Sequence, residues 1–279
     1  MASPAQEPIS VDELRARILA SVGPLAVVDV PLDEALGLVL AEEAVAAVAL
    51  PPFDNSAMDG YAVRRAEVVG ATSDAPVTLP VVGEIGAGAA GVRELAPGTV
   101  AKIMTGAPVP IGCDAVVPYE WTDRGAERVV ITEAPTPGQH IRPAGDDVVV
   151  GQRLLPAGTL LGPRQLGLLA AVGVGAARVH RRPRVVVLST GSELAEAGSP
   201  LGADQIYDAN SHLLAASARA AGAEVRRVGA VRDEPGEFLA VLQRECASAD
   251  LVVTSGGVSQ GDFDVVKAAL RGGPVWFGP

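Results

Sequence analysis

LVVTSGGVSQGDFD, residues 251–264, runs from a short apolar stretch through a glycine-rich bend into two acids, Asp262 and Asp264. An apolar run of strand length followed by a loop of exposed backbone N–H groups is a common way to seat a phosphate at the carboxyl edge of a sheet. Neutral backbone donors suit an anion, whereas two closely spaced carboxylates suit a hard divalent cation, so one loop can hold both halves of a metal-phosphate ligand. A strand-to-helix turn with a polar cap fits the same residues, and short glycine-rich strings often carry no ligand. The rest of the chain has to decide between these readings.

Working outward, RVVVLSTGSELAEAG (184–198) reads as a buried strand, a glycine bend and a helix start, preceded by a basic, proline-containing link at 180–183. Between the two strings the pattern predicts a helix over 210–221, an extended stretch over 225–235 and a helix over 236–247. The order β-α-β-α-β implies a parallel sheet with right-handed crossovers, whose strand ends share one edge. Residues 189–193 and 255–264 then open toward the same face, which is where open α/β sheets hold their ligands.

The 279 residues suit about two domains. With 48% hydrophobic but only 3% aromatic residues, the core must be built from Val, Leu, Ile and Ala, as in close-packed α/β layers. A net charge of -11 argues against broad binding to nucleic acid or an anionic membrane, so an anionic ligand needs local help from backbone N–H groups or a cation. Cys113 and Cys246 form no CxxC pair, which suggests neither a zinc site nor a disulfide framework, and both are expected to be buried thiols. The first residues lack a basic segment followed by an apolar one, and no apolar run reaches membrane-spanning length, so the chain reads as cytoplasmic.

Near the start, Ser10 and Glu13 have capping-box spacing ahead of a helix over 10–22 whose apolar face is Leu14, Ile18 and Leu19. A short helix is expected over 32–36, closed by Gly37, and extended structure over 40–50. PPFDNSAMDGYAV (51–63) collects Asp54, Asn55, Ser56, Asp59 and Gly60; either an Asx-type turn leads into a strand, or Asp59 is presented on a tight bend to a ligand. From 77 to 131, short runs broken by Gly, Pro and Asp predict a separate β lobe. There Thr105 and Gly106 sit in a proline-punctuated loop, where a threonine hydroxyl most often bonds its own backbone. Farther on, Asp146 and Asp147 precede valines, and a helix is expected over 163–171 with Pro163 at its first position.

In this order, PPFDNSAMDGYAV, KIMTGAPVPIGCDAVVPYE, RPAGDD, VVVLSTGSEL, QIYDANS and TSGGVSQGDFD resemble the molybdopterin molybdotransferase family, also called the MoeA and gephyrin E-domain family, over nearly the whole chain. The resemblance implies an elongated α/β plus β protein. Residues 1–53 and 139–180 would form an N-terminal α/β linking domain, 54–138 an inserted small β lobe, and 181–279 a three-layer molybdopterin-binding α/β domain with an incomplete parallel-type sheet. It implies insertion of molybdate into adenylylated molybdopterin with release of AMP, dependence on Mg2+, and a homodimer in which one subunit's lobe covers the other's α/β site. Carried over by position, the functional residues are Asp59, Thr105, Asp147, Glu193, Asp233 and Asp262 or Asp264, with Glu193, Asp262 and Asp264 toward the metal. The ligand-gripping loops are Ser189, Thr190 and Gly191 on one strand end, and Ser255, Gly256, Gly257, Ser259 and Gly261 on the other.

Gln260 and Ser192 depart from the family's usual residues, and the chain stops where similar proteins continue, so the sheet is expected to lack its last strand and to expose an edge. A non-catalytic pterin- or nucleotide-binding scaffold is the alternative in a different class. A molybdopterin adenylyltransferase-like enzyme is another, which the N-terminal strings disfavour.

Overall fold

The structure is a computed structural model describing residues 9–88, 91–256 and 265–270. It comprises two compact units, one formed by 1–42, 158–162 and 176–279, the other by 43–157 and 163–175.

In the first unit the run Arg184–Thr190 is buried from its second residue to its last, because a strand at the centre of a parallel sheet is covered on both faces. It pairs in parallel with Glu224–Val231 on one side and with Leu251–Ser255 on the other, setting Ser189 level with Ser255. Alternate residues face opposite layers. Val185 and Val187 pack with Ala215 of the helix Ala209–Ala220, while Leu188 packs with Phe238 of the helix Pro235–Cys246. Phe238 is fully buried, a contribution of about 2–3 kcal/mol.

Several expectations for this unit change. The segment SELAEAG does not start a helix; Leu194–Ala195 forms a short parallel ladder with Ile206–Tyr207. Ile206 N–H donates to Glu193 O and Asp208 N–H to Ala195 O, each at 2.9 Å, which takes the carbonyls a helix would use. His180 is no link residue but the end of the strand Ala176–His180, the centre of an antiparallel sheet with Val27–Pro31 and Val39–Leu40. The helix Val11–Ala20 has the capping box, with Glu13 N–H donating to Ser10 Oγ at 3.2 Å and Ser10 N–H to Glu13 Oε2 at 2.9 Å. Its apolar face is not buried; Leu14, Ile18 and Leu19 are 39%, 55% and 58% exposed. Residues Leu32–Glu34 make a 3-10 turn instead of the longer helix, and Gly37 follows with φ +73°. Cys246, expected inside, is exposed.

In the second unit a five-stranded sheet has the order Ala115–Pro118, Gly60–Val63, Val100–Ile103, Val77–Ile85, Arg128–Ile131. Both faces are buried, Tyr61, Val117 and Ile131 lying in one layer and Ala62, Ile103 and Val116 in the other. Gly60 is required by a close approach: a Cβ there would lie 2.0 Å from the Val117 carbonyl oxygen. Cys113 is partly buried, and burial pushes its thiol up to about 11. The helix Pro163–Ala171 begins at Pro163, as its sequence predicts, and the short strand Ala44–Val45 falls within the stretch expected to be extended.

Candidate functional site

The second unit brings Asp59 and Thr105 together. Ser56 N–H donates to Ala107 O at 3.0 Å and Gly106 N–H to Ser56 O at 2.8 Å, stitching the loop that carries Asp59 to the loop that carries Thr105. Asp59 Oδ1 then accepts both the Thr105 N–H, at 2.7 Å, and the Thr105 hydroxyl, at 2.8 Å. The Thr105 hydroxyl is therefore not bonded to its own turn but to a carboxylate 46 positions away. The Thr105 N–H, followed by its hydroxyl, holds the Asp59 carboxyl below the usual carboxylate range. Both bonds fall on Oδ1, so Asp59 is an exposed, ionised acid aimed by its loop. Asp54 Oδ1 accepts from Ala144 N–H at 2.7 Å and Leu50 O from Asp147 N–H at 2.9 Å, which hangs the loop of Asp147 on the segment preceding Asp59. Asp147 itself is exposed.

In the first unit the carboxyl edge of the parallel sheet gathers the remaining described residues. Ser189 and Thr190 are buried, and Gly191 turns the chain with φ +154°. The Glu193 carboxylate folds back over Gly191, both oxygens lying 2.8 Å from where a Cβ would sit. Gly256, φ +92°, ends the neighbouring strand so close that a Cβ would meet Thr190 O at 2.4 Å and Thr190 Oγ1 at 2.8 Å. The Thr190 hydroxyl is buried there without a hydrogen-bond partner among the described residues. Asp233 faces Ser192: Ser192 N–H donates to Asp233 Oδ2 at 2.9 Å, and Asp233 N–H to Ser192 Oγ at 3.3 Å. Gly257, Ser259, Gly261, Asp262 and Asp264 lie outside the described residues.

Two residues of QIYDANS to which the sequence assigned no role stand at this edge. Asp208 caps the helix Ala209–Ala220, accepting from Ser211 N–H at 3.0 Å, the Ser211 hydroxyl at 2.6 Å and the Ser189 hydroxyl at 3.0 Å. Burial would raise its pKa, but the Ser211 hydroxyl and N–H, the Ser189 hydroxyl and the Arg227 charge outweigh burial and leave it lowered. Its signal in the sequence was an N-cap acid before ANSHLLAASARA. Since Asp208 occupies that helix N-terminus, an anion at this edge must be met by the strand-end loops. Asn210 Nδ2 donates to Ser255 Oγ at 3.0 Å, so Ser189 and Ser255 are both oriented from the N-terminus of the same helix.

The unit also has a mostly apolar cleft of about 330 Å3, lined by Leu25, Leu38, Leu160, Arg182 and Gly222 among others. Pro183 and Gly222 lie just before the strands Arg184–Thr190 and Glu224–Val231 begin, so this cleft is at the amino edge, opposite the glycine turns.

Among the described residues, the side chains at the carboxyl edge offer oxygen donors, Ser189, Thr190, Glu193, Asp208, Asp233 and Ser255 among them, which suits Mg2+ better than zinc. Among the described residues no three His, Cys, Asp or Glu gather in a metal-holding group. Mg2+ characteristically takes one or two protein carboxylates and completes its shell with water and phosphate oxygens, so an exposed Glu193 beside glycine turns fits it. Among the described residues no helix is long and apolar enough to cross a membrane.

Fold and edge together define an α/β unit with glycine turns at the carboxyl ends of its parallel strands, in one chain with a unit built around a β-sheet. Residues 9–173 match the MoeA N-terminal region (domain I and II), and residues 186–272 match a probable molybdopterin binding domain. The chain belongs to the MoeA family. It is 51% identical over 243 residues to molybdopterin molybdenumtransferase 2 of Mycobacterium tuberculosis, covering 87% of this chain and 60% of that protein. With the molybdopterin molybdenumtransferase of a Nostoc species it shares 42% identity over 241 residues, 86% of this chain and 55% of the relative. Its mixed α/β fold is similar to the crystal structure of a molybdopterin biosynthesis MoeA protein from Pyrococcus horikoshii, with a TM-score of 0.80 at 31% identity, over 88% of this chain and 65% of that one. The chain thus spans about three fifths of the length of the curated relatives it matches.

Proposed function

We propose that this chain carries the molybdate-inserting part of a cytoplasmic molybdopterin molybdotransferase, which takes adenylylated molybdopterin and molybdate and releases AMP. The observation that carries the reading is the parallel register that sets Ser189 level with Ser255, so that the turn of Gly191 and Glu193 and the turn of Gly256 share one edge. The names and coverage of its relatives support the same activity. Three parts are proposed: a linking region at 1–53 and 139–180, a β lobe at 54–138, and the ligand-binding α/β region from 181 onward.

In this reading the strand-end backbone N–H groups, with Thr190, Gly257, Ser259 and Gly261, bind phosphate oxygens, which an acidic chain cannot meet with a basic surface. Glu193, Asp262 and Asp264 hold and orient the cation. Mg2+, when bound, offsets negative charge on the phosphates and on molybdate. Asp59, kept ionised by Thr105, and Asp147 are brought to the site by a second copy in a homodimer, and there orient the oxyanion substrates and their water. No Cys or His nucleophile is required, because the dithiolene sulfurs of the substrate capture the molybdenum. Purified protein given adenylyl-molybdopterin, molybdate and Mg2+ is expected to release AMP. Tight pterin binding with no AMP from the full reading frame would instead identify a non-catalytic scaffold.

A further inference from the structure

Glu193, Ser192 and Asp233 are all exposed, yet the turn that carries Glu193 is held at every residue. Gly191 N–H donates to Val231 O at 3.2 Å, Leu194 N–H to Gly191 O at 3.2 Å, and Ile206 N–H to Glu193 O at 2.9 Å. The peptide between Gly191 and Ser192 is fixed from a different strand end, through the two reciprocal bonds with Asp233. The Glu193 carboxylate lies over that peptide, both its oxygens 2.8 Å from where a Gly191 Cβ would sit. Asp233 Oδ2 and N–H are both spent on Ser192.

We propose that Asp233 is a positioning residue that fixes the Glu193 turn through Ser192 and so sets the affinity of this edge for a divalent cation without touching the cation. This rests on reading Glu193 as a cation ligand. A ligating oxygen must come within about 2.1 Å of Mg2+, and Mg2+ tolerates little departure from octahedral geometry, so a loosened turn is felt directly as lost affinity.

The test compares wild type with Asp233→Ala and Asp233→Asn. Mn2+ serves as the paramagnetic probe, titrated by EPR, and amide hydrogen exchange at Ser192 is read by NMR on separate, Mn2+-free samples of the same proteins. Asp233→Ala is expected to weaken Mn2+ binding roughly tenfold, the range typical of residues that orient a metal ligand, and to speed exchange at the Ser192 amide. Asp233→Asn keeps an oxygen for the Ser192 N–H without the charge, and is expected to return Mn2+ affinity to within about threefold of wild type with Ser192 still protected. A Ser192 amide that exchanges freely in wild type overturns the latch. So does an Asp233→Asn variant that protects Ser192 but binds Mn2+ as weakly as Asp233→Ala, because the charge would then act on the cation directly. Wild type that protects Ser192 but binds no Mn2+ overturns the cation-setting role and, separately from the latch, the metal part of the proposed function.

Discussion

Removing Asp208 is expected to destabilise the α/β unit by an amount that its bonds define. The carboxylate caps a twelve-residue helix through Ser211 N–H, a bond whose loss costs about 1 kcal/mol. It also accepts from the hydroxyls of Ser189 and Ser211, which are 1% and 0% exposed and cannot turn to water. Each hydroxyl left without an acceptor adds about 1 kcal/mol, so Asp208→Ala should cost about 3 kcal/mol. With a slope of about 2 kcal/mol per molar, the urea midpoint of this unit should fall by about 1.5 M. Asp208→Asn keeps one carbonyl oxygen and should cost about 1 kcal/mol, because only the bond to the Ser211 hydroxyl must reverse. Because the Asp208 carboxyl is lowered, the stability it contributes is fully present above its unfolded value and is lost as pH falls through its lower folded value. The difference between wild type and Asp208→Ala should accordingly be equal at pH 7 and pH 5, and should shrink only below about pH 4. A loss under about 0.5 kcal/mol, within the range of ordinary surface substitutions, would refute the buried cap. A difference that shrank between pH 7 and pH 5 would refute the sign.

Thr105→Val removes one of the two donors to Asp59, so the Asp59 carboxyl should rise part of the way toward its ordinary value while the Thr105 N–H still holds it down; carbon-detected NMR titration reads this, and no rise would sever the pair. Gly60→Ala should lower the melting temperature of the β-sheet unit by a cost of at least about 2 kcal/mol, since its methyl falls on the Val117 carbonyl, and an unchanged melting temperature would contradict the strand spacing. Gly256→Ala should weaken pterin binding, measured by fluorescence titration, because the added methyl meets Thr190 from a strained backbone; native affinity would argue that this turn lies away from the ligand.

The parallel sheet was readable because two of its strands, Arg184–Thr190 and Leu251–Ser255, are apolar runs of the right length and its crossovers contain helices; Pro163 and the Ser10 and Glu13 pair marked where two other helices start. Other elements were hidden for physical reasons. Ala176–His180 alternates with two alanines and one valine, too little apolar surface to stand out, and only its two strand neighbours make it a strand. SELAEAG favours a helix by composition, and the backbone of a segment eleven or more residues away overrides that preference. Of the site, the glycine turns, Glu193 and the Asp59 and Thr105 loops were legible as motifs. The bonds joining Asp59 to Thr105, Ser192 to Asp233 and Asp208 to Ser189 were not, because each links distant positions. Asp208 was passed over because a helix-capping acid looks the same whether or not a ligand lies beside it.

The most direct test is hydrogen–deuterium exchange of the full reading frame with and without adenylyl-molybdopterin and Mg2+. Protection is expected in the peptides covering 189–194 and 251–264, at the carboxyl edge of the sheet. Protection confined to the amino-edge cleft around Arg182 and Gly222, or none at all, would contradict a ligand site at the strand ends.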